Sequence, residues 1–266
     1  MFRNQYDNDI STWSPQGRLH QIEYALEAVK QGSAAVGIRS NTHVVILALK
    51  RSSGELAAHQ QKLFRIDNHM GIAIAGLVSD ARVLSNFMRT ECMKSKMLYD
   101  RPLPGSRLVS MIGDKAQINT QNYGRRPYGV GLLVGSYDEE TGPHLYECLP
   151  NANCLEYVAV SIGAKSQSAK TYLEKFAKEF PEADEDALIM HGLHALRETL
   201  QQEKELNLNN AAIGIVGKDK DWELIEGDRL KAYLDRLEAG GGASTTAAGD
   251  APAEGASTED NAMETD

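Results

Sequence analysis

Tyr6-Asp7-Asn8-Asp9-Ile10-Ser11-Thr12-Trp13-Ser14-Pro15-Gln16-Gly17-Arg18-Leu19-His20-Gln21-Ile22-Glu23-Tyr24-Ala25 contains a change of character halfway along. Up to Trp13 it is mostly polar and shows no period. Ser14-Pro15 is a turn signal. From there Leu19, Ile22, Leu26 and Val29 recur at helical spacing, and Gly32 follows. This pattern predicts an amphipathic helix that ends at Gly32.

Beyond that helix the chain alternates in blocks. Short β-rich runs come at Ala35 to Ile38, His43 to Leu49 and Met70 to Ala75. Two helical patterns follow. The first has Ser79 as a candidate cap and Val83, Leu84, Phe87, Met88 and Cys92 on one face. The second has Ser106 as a candidate cap and Leu108, Val109 and Ile112 facing inward. Strand-like runs return at Tyr128 to Tyr137, His144 to Cys148 and Tyr157 to Ile162. A second helix pair would bury Ala169, Tyr172, Leu173, Phe176 and Phe180, then Leu188, Leu193, Leu196 and Leu200. Strands at Ala212 to Val216 and Trp222 to Ile225 and a short helix to about Leu237 complete the pattern. Strands grouped with strands and helices paired with helices argue against a doubly wound parallel sheet. They fit two antiparallel sheets stacked face to face under helix pairs, an α+β class.

At 42% hydrophobic and 24% charged the composition is globular, so a packed domain is expected. No apolar run reaches the roughly 18 residues that a spanning helix needs. Met1 to Ser14 lacks the basic start and apolar core of a secretory signal, so residence in the cytoplasm and nucleus is expected. Cys92, Cys148 and Cys154 show no CxxC and read as reduced thiols. His191 and His194 lie three apart without a carboxylate partner, which favours packing over metal binding; no metal and no cofactor are expected. From Gly240 the sequence is Gly, Ala, Ser, Thr and acids. Residues 239–266 hold six acids and no Lys or Arg, out of a net charge of −9. A disordered acidic tail is expected there, leaving a domain over 14–238 and an N-terminal segment over 1–13. The charge totals give no hint of a basic nucleic-acid surface.

The quoted stretch closely resembles the N-terminal signature of proteasome alpha subunits: Tyr-Asp, a spacer, then Ser-Pro-x-Gly-Arg-x-x-Gln-x-Glu-Tyr-Ala. Further similarities lie at Gly71 to Leu84 (GIAIAGLVSDARVL), Arg126 to Gly131 (RPYGVG) and Ser161 to Gly163 (SIG). Together they cover about residues 1–237. MFRNQYDND and RPLPGSRLVS at 101–110 resemble the type-1 branch most. The resemblance implies the four-layer αββα sandwich of N-terminal nucleophile hydrolases. It also implies a place in a heteroheptameric ring of alpha subunits, stacked on a ring of beta subunits.

Beta-type relatives are proteases whose N-terminal threonine attacks with help from its own free amine, a lysine and an acid. By resemblance Ser33 stands at the threonine, Lys62 at the lysine and Leu49 where the acid belongs. Leucine cannot hold or compensate a lysine, and a helix rather than a disposable leader precedes Ser33. No catalytic residue is therefore expected. The rival readings are a beta-type hydrolase cleaved at Gly32-Ser33 and a free-standing interaction module.

The resemblance assigns Tyr6, Asp7, Pro15 and Tyr24 to a cluster that holds the N-terminal gate tails in an open arrangement. The family's Tyr-Asp-Arg reads Tyr6-Asp7-Asn8 here, so one bidentate ion pair is lost. It assigns Gly32, Lys62 and Leu77 to a pocket for the C-terminal tails of activators such as the regulatory-particle ATPases. Arg18, Gln21 and Glu23 fall on the polar side of the first helix, placed against ring neighbours. Gly71, Gly76, Arg126, Pro127, Tyr128 and Gly129 read as structural.

Overall fold

A computed structural model describes residues 5–52, 56–200 and 205–241. The helix α1 (His20–Gln31) leads into two sheets of five strands each. The first sheet holds β1 (Ala35–Arg39), β2 (His43–Leu49), β8 (Ala159–Ile162), β9 (Ala211–Gly217) and β10 (Lys220–Ile225), in the order β10-β9-β2-β1-β8. The second holds β3 (Leu63–Asp67), β4 (Met70–Gly76), β5 (Val130–Asp138), β6 (Gly142–Cys148) and β7 (Cys154–Glu156), in chain order. Every pairing is antiparallel.

Both faces of both sheets are covered, and the side-chain alternation of the strands shows how. In β2, Val44, Ile46 and Ala48 point into the space between the sheets, while Val45 and Leu47 point outward. The outward pair packs under α4 (Ser166–Phe176) and α5 (Glu185–Arg197), with Leu173, Leu188, Leu193 and Leu196. On the other sheet Met70, Ile72, Ile74, Leu132 and Val134 pack under α2 (Val78–Tyr99) and α3 (Gly105–Gln121). Leu133, Leu145, Ala73 and Trp222 fill the middle. The result is helix, sheet, sheet, helix: the expected four-layer sandwich. Glycine permits the close packing of the sheets at one point in particular. A Cβ on Gly135 would lie 2.9 Å from Ile46 Cδ1 and 3.0 Å from Val44 Cγ1.

Several local expectations are corrected. β3 and β7 carry no clear run in the sequence and add to the expected strands. Ser79 and Ser106 are not caps: α2 starts at Val78 after Leu77, and α3 at Gly105 after Pro104. Val83 is 52% exposed, because the buried stripe of α2 runs Ala81, Leu84, Ser85, Met88, Cys92, Ser95 and Val83 sits about 100° away from Leu84. Leu200 follows α5 rather than belonging to it. The last helix, α6 (Lys231–Gly241), runs three residues past the expected boundary at 238. The expected acidic tail otherwise falls on residues 242–266, outside the described residues, as do residues 1–4 of the expected gate segment.

Candidate functional site

The N-terminal segment is tied down by specific contacts. Ile10 is 2% exposed and anchors an otherwise polar stretch. Asp9 accepts from the Ser11 amide at 2.8 Å and the Ser11 hydroxyl at 2.7 Å, and from Gly124 N at 3.4 Å. The Ser11 amide, first among these bonds, holds the Asp9 carboxyl below its ordinary range.

Residues 14–17 form a β-turn in which Gly17 N donates to Ser14 O at 2.9 Å. Pro15 occupies the second position, where its ring presets φ. Gly17 sits at φ +76°, a conformation that favours glycine. Ser14 N donates to Arg18 O, and Arg18 N donates to the Ser14 hydroxyl. The turn therefore fixes the direction in which α1 leaves.

On α1, Tyr24 Oη donates to Asp7 Oδ2 at 3.0 Å, and Gln21 Nε2 donates to the Asp7 carbonyl. Three sequence-expected residues thus meet on one side of the helix, with Tyr6 one position before Asp7. Arg18 lies before α1 rather than on it. Its guanidinium donates twice to Glu23, at 2.7 and 2.6 Å, while His20 Nδ1 lies 3.5 Å from the same carboxylate. Arg18, Gln21 and Glu23 are thus engaged within the chain, bracing the entry to α1.

The other end of α1 carries the second group. Val29 is buried between the sheets, against Gly131. Gly32 closes the helix where a Cβ would lie 2.3 Å from Gly76 N. Leu77 follows Gly76 directly, is 47% exposed, and donates its amide to Gly129 O at 2.9 Å. Gly32 and Leu77 are therefore brought together by backbone contact.

Lys62 is 2% exposed, not a solvated surface charge. Burial, then the positive charge of Arg51, lowers its ammonium to about 8. Among the described residues no acceptor bonds its Nζ. Arg51 itself donates to the carbonyl of Gln31, the last residue of α1, at 3.3 Å. The end of α1 and the start of β3 thus share a rim with two cations and, among the described residues, no carboxylate bonded to either.

Ser33 is 2% exposed. Its two neighbours are held by backbone bonds: Ala164 N donates to Gly32 O at 2.7 Å, and Leu49 N donates to Ala34 O at 2.9 Å. Leu49 packs against the α4–α5 layer. The Ser33 nitrogen lies in a peptide bond behind a packed helix, so it supplies no free amine.

Sequence reasoning misses Asp80. It is buried at the first turn of α2, accepts from Arg126 at 2.6 and 2.8 Å and from Gly129 N at 2.9 Å. The Arg126 guanidinium, first, holds its carboxyl below the usual range. This clamp fixes Gly129 beneath Leu77, whose Cδ1 would be 2.8 Å from a Cβ there. Both residues lie in stretches that resemble the family, Asp80 in Gly71 to Leu84 and Arg126 in Arg126 to Gly131, but nothing in either stretch shows that they pair.

His191 and His194 pack with aromatic rings. His191 lies 5.3 Å from the Phe176 ring, and His194 stacks on Tyr172 at 6.0 Å.

Two stacked five-stranded sheets under helix pairs, entered through α1, define the class: a proteasome-type subunit fold. A family model described as "Proteasome subunit" matches residues 29–216, and a second, for the N-terminal signature of A-type proteasome subunits, matches residues 6–28. The chain is 56% identical to the probable alpha type-6 proteasome subunit of Schizosaccharomyces pombe, over 89% of this chain and 87% of that one. It is 52% identical to the alpha type-1 proteasome subunit of Dictyostelium discoideum, over 90% and 96% respectively. Against the alpha type-6 proteasome subunit of Saccharomyces cerevisiae the identity is 49%, over 88% and 100%. The chain belongs to the proteasome subunit family and carries its alpha-type signature.

Proposed function

We propose that the chain is a non-catalytic alpha-ring subunit of the proteasome core particle, in the cytoplasm and nucleus. In this reading it forms part of an outer ring with other alpha subunits and rests on beta subunits. The observation that carries it is the segment from Tyr6 to Gln31. That segment packs into the fold through Ile10, Val29 and the Asp7–Tyr24 bond, which supports its retention in the mature chain. With it in place Ser33 has no amine for a threonine-type mechanism.

Tyr6, Asp7, Pro15 and Tyr24 serve as gate elements. The turn at Pro15 aims the tail, and the Asp7 carboxylate and Tyr hydroxyls are groups that neighbouring tails can share. Gly32, Lys62 and Leu77 receive the C-terminal carboxylate of an activator. A buried ammonium with no acceptor among the described residues gains more from an incoming carboxylate than a solvated one would.

Intact mass of the mature chain tests the reading directly. A chain retaining residues before Ser33 and migrating only within a large assembly is expected. A polypeptide beginning at Ser33 with peptidase activity, or a soluble monomer, overturns it.

A further inference from the structure

Cys148 and Cys154 end and begin the two strands of the β6–β7 hairpin, and the register places them directly opposite each other. Leu149 N donates to Asn153 O at 3.0 Å, which makes 149 and 153 a hydrogen-bonded pair. The alternation of an antiparallel ladder then makes 148 and 154 a non-hydrogen-bonded pair, with Cα atoms about 4.5 Å apart. That separation falls within the range a disulfide spans, about 4.4–6.8 Å. Partners in register project from the same face, so the two thiols lie beside each other. Both are free.

We propose that Cys148 and Cys154 are a reversible thiol–disulfide modification site that reacts with low-molecular-weight disulfides. The two thiols are unequal. Cys148 is buried, while Cys154 is only half-buried on an edge strand. Cys154 is the attacking group, because it is the more accessible of the two and the neighbouring Cys148 thiol lowers its pKa.

The Cys154 thiolate attacks one sulfur of RSSR, forms a protein–SR bond and expels RS⁻. Cys148 then gives up its proton and attacks the Cys154 sulfur, expelling the second RS⁻. Both thiolates leave as RSH once protonated. The small disulfide is reduced to two thiols, and the protein is oxidised by two electrons. A small void of about 10 Å³ adjoins both cysteines, with Ile112, Ala116 and Pro150 also lining it. Closing the bond locks the hairpin whose tip faces α3, where a Cβ on Gly113 would lie 3.6 Å from Ala152 O and 3.9 Å from Cys154 Sγ. Cys92 has no thiol opposite it, and burial first raises its thiol to about 12, so it stays reduced.

The test uses the full chain in its native assembly, treated with oxidised glutathione, alkylated under denaturing conditions and mapped without reduction. No Lys or Arg lies between the two cysteines, so one tryptic peptide holds both. That peptide is expected to lose two alkylation sites and two hydrogens, and dithiothreitol is expected to restore both. Cys92 remains alkylatable. Cys148→Ser, or Cys148→Ala where serine impairs assembly, is expected to trap glutathione on Cys154. A wild-type chain that keeps both thiols alkylatable, or that accumulates glutathione on Cys154 without closing the ring, overturns the proposal.

Discussion

Gly32 and Gly76 approach so closely that a Cβ on the first would lie 2.3 Å from the backbone nitrogen of the second. The end of α1 and the end of β4 are thereby fixed to each other with no side chain between them. Gly76 itself sits at φ +113° with Gly129 O beside it, so it cannot readily give way. Gly32→Ala must therefore move backbone. Overpacking of this kind costs about 1–3 kcal/mol, so thermal unfolding of the variant is expected several degrees lower. An unchanged midpoint would show that α1 is free to shift on β4.

Lys62 gives opposite effects on stability and on ligand capture. Its folded value of about 8 lies below its ordinary 10.5. Between those values the unfolded chain holds the proton more tightly than the folded one. The penalty is complete below about pH 8, and stability rises as pH climbs from 8 to 10.5. Lys62→Met is expected to stabilise by about 1–3 kcal/mol at neutral pH and to flatten that rise. The same variant is expected to bind a peptide ending in a free carboxylate at least about tenfold more weakly, since a charge-assisted bond contributes about 1.5–3 kcal/mol. For the wild type, binding should weaken above pH 8. Denaturation across pH and fluorescence anisotropy with a labelled activator-tail peptide read the two effects separately.

The Asp7–Tyr24 bond is exposed, so its removal is expected to cost folding little and, under the proposed gating role, to change peptide entry. Tyr24→Phe is expected to cost under about 1 kcal/mol of stability. If the bond biases the tail between open and closed positions, that energy shifts the equilibrium by roughly two- to fivefold at most. Deleting residues 1–11 should likewise raise peptide leak into the core only modestly, because in the proposed ring other tails also block the pore. Peptide hydrolysis by the assembled particle measures both variants. No change in either would remove this segment from the gate.

Periodic elements were legible and aperiodic ones were not. Leu26 and Val29, the β2 run at 43–49 and the α5 stripe announce themselves because one side of each must be apolar. β3 did not, because Leu63–Asp67 mixes Arg65 with its apolar residues and lies at a sheet edge. β7 has three residues, too few for any period. The four layers followed from block order alone. At the candidate site, Asp7 and Tyr24 meet in a hydrogen bond and Gly32 abuts Gly76. Three features were hidden for a physical reason. Lysine is almost never fully buried, so nothing in Gln61-Lys62-Leu63 suggests that Lys62 is. Ile10 is a single apolar residue in a polar stretch, and one residue carries no pattern. The facing of Cys148 and Cys154 depends on a hairpin register that neither residue reveals.

Asp80 offers a test of the scaffold beneath Leu77. Its carboxylate accepts two bonds from Arg126 and one from Gly129 N, and its pKa is held below 3.8 with the Arg126 bonds as the first cause. A depressed acid contributes stability that is fully present above its unfolded value and is lost as pH falls through its folded value. Asp80→Asn keeps an acceptor but loses the charge and the two-oxygen fork. The exposure of Arg126 limits the cost to about 2 kcal/mol. The variant should therefore be less stable than the wild type at neutral pH, and the gap should narrow in acid below pH 3.8 as the wild-type carboxyl takes up its proton. Because Gly129 carries the carbonyl that accepts from Leu77 N, Asp80→Asn should also weaken activator-peptide binding without touching Lys62. A constant stability gap from neutral pH into acid would mean that Asp80 acts through packing, not through its charge.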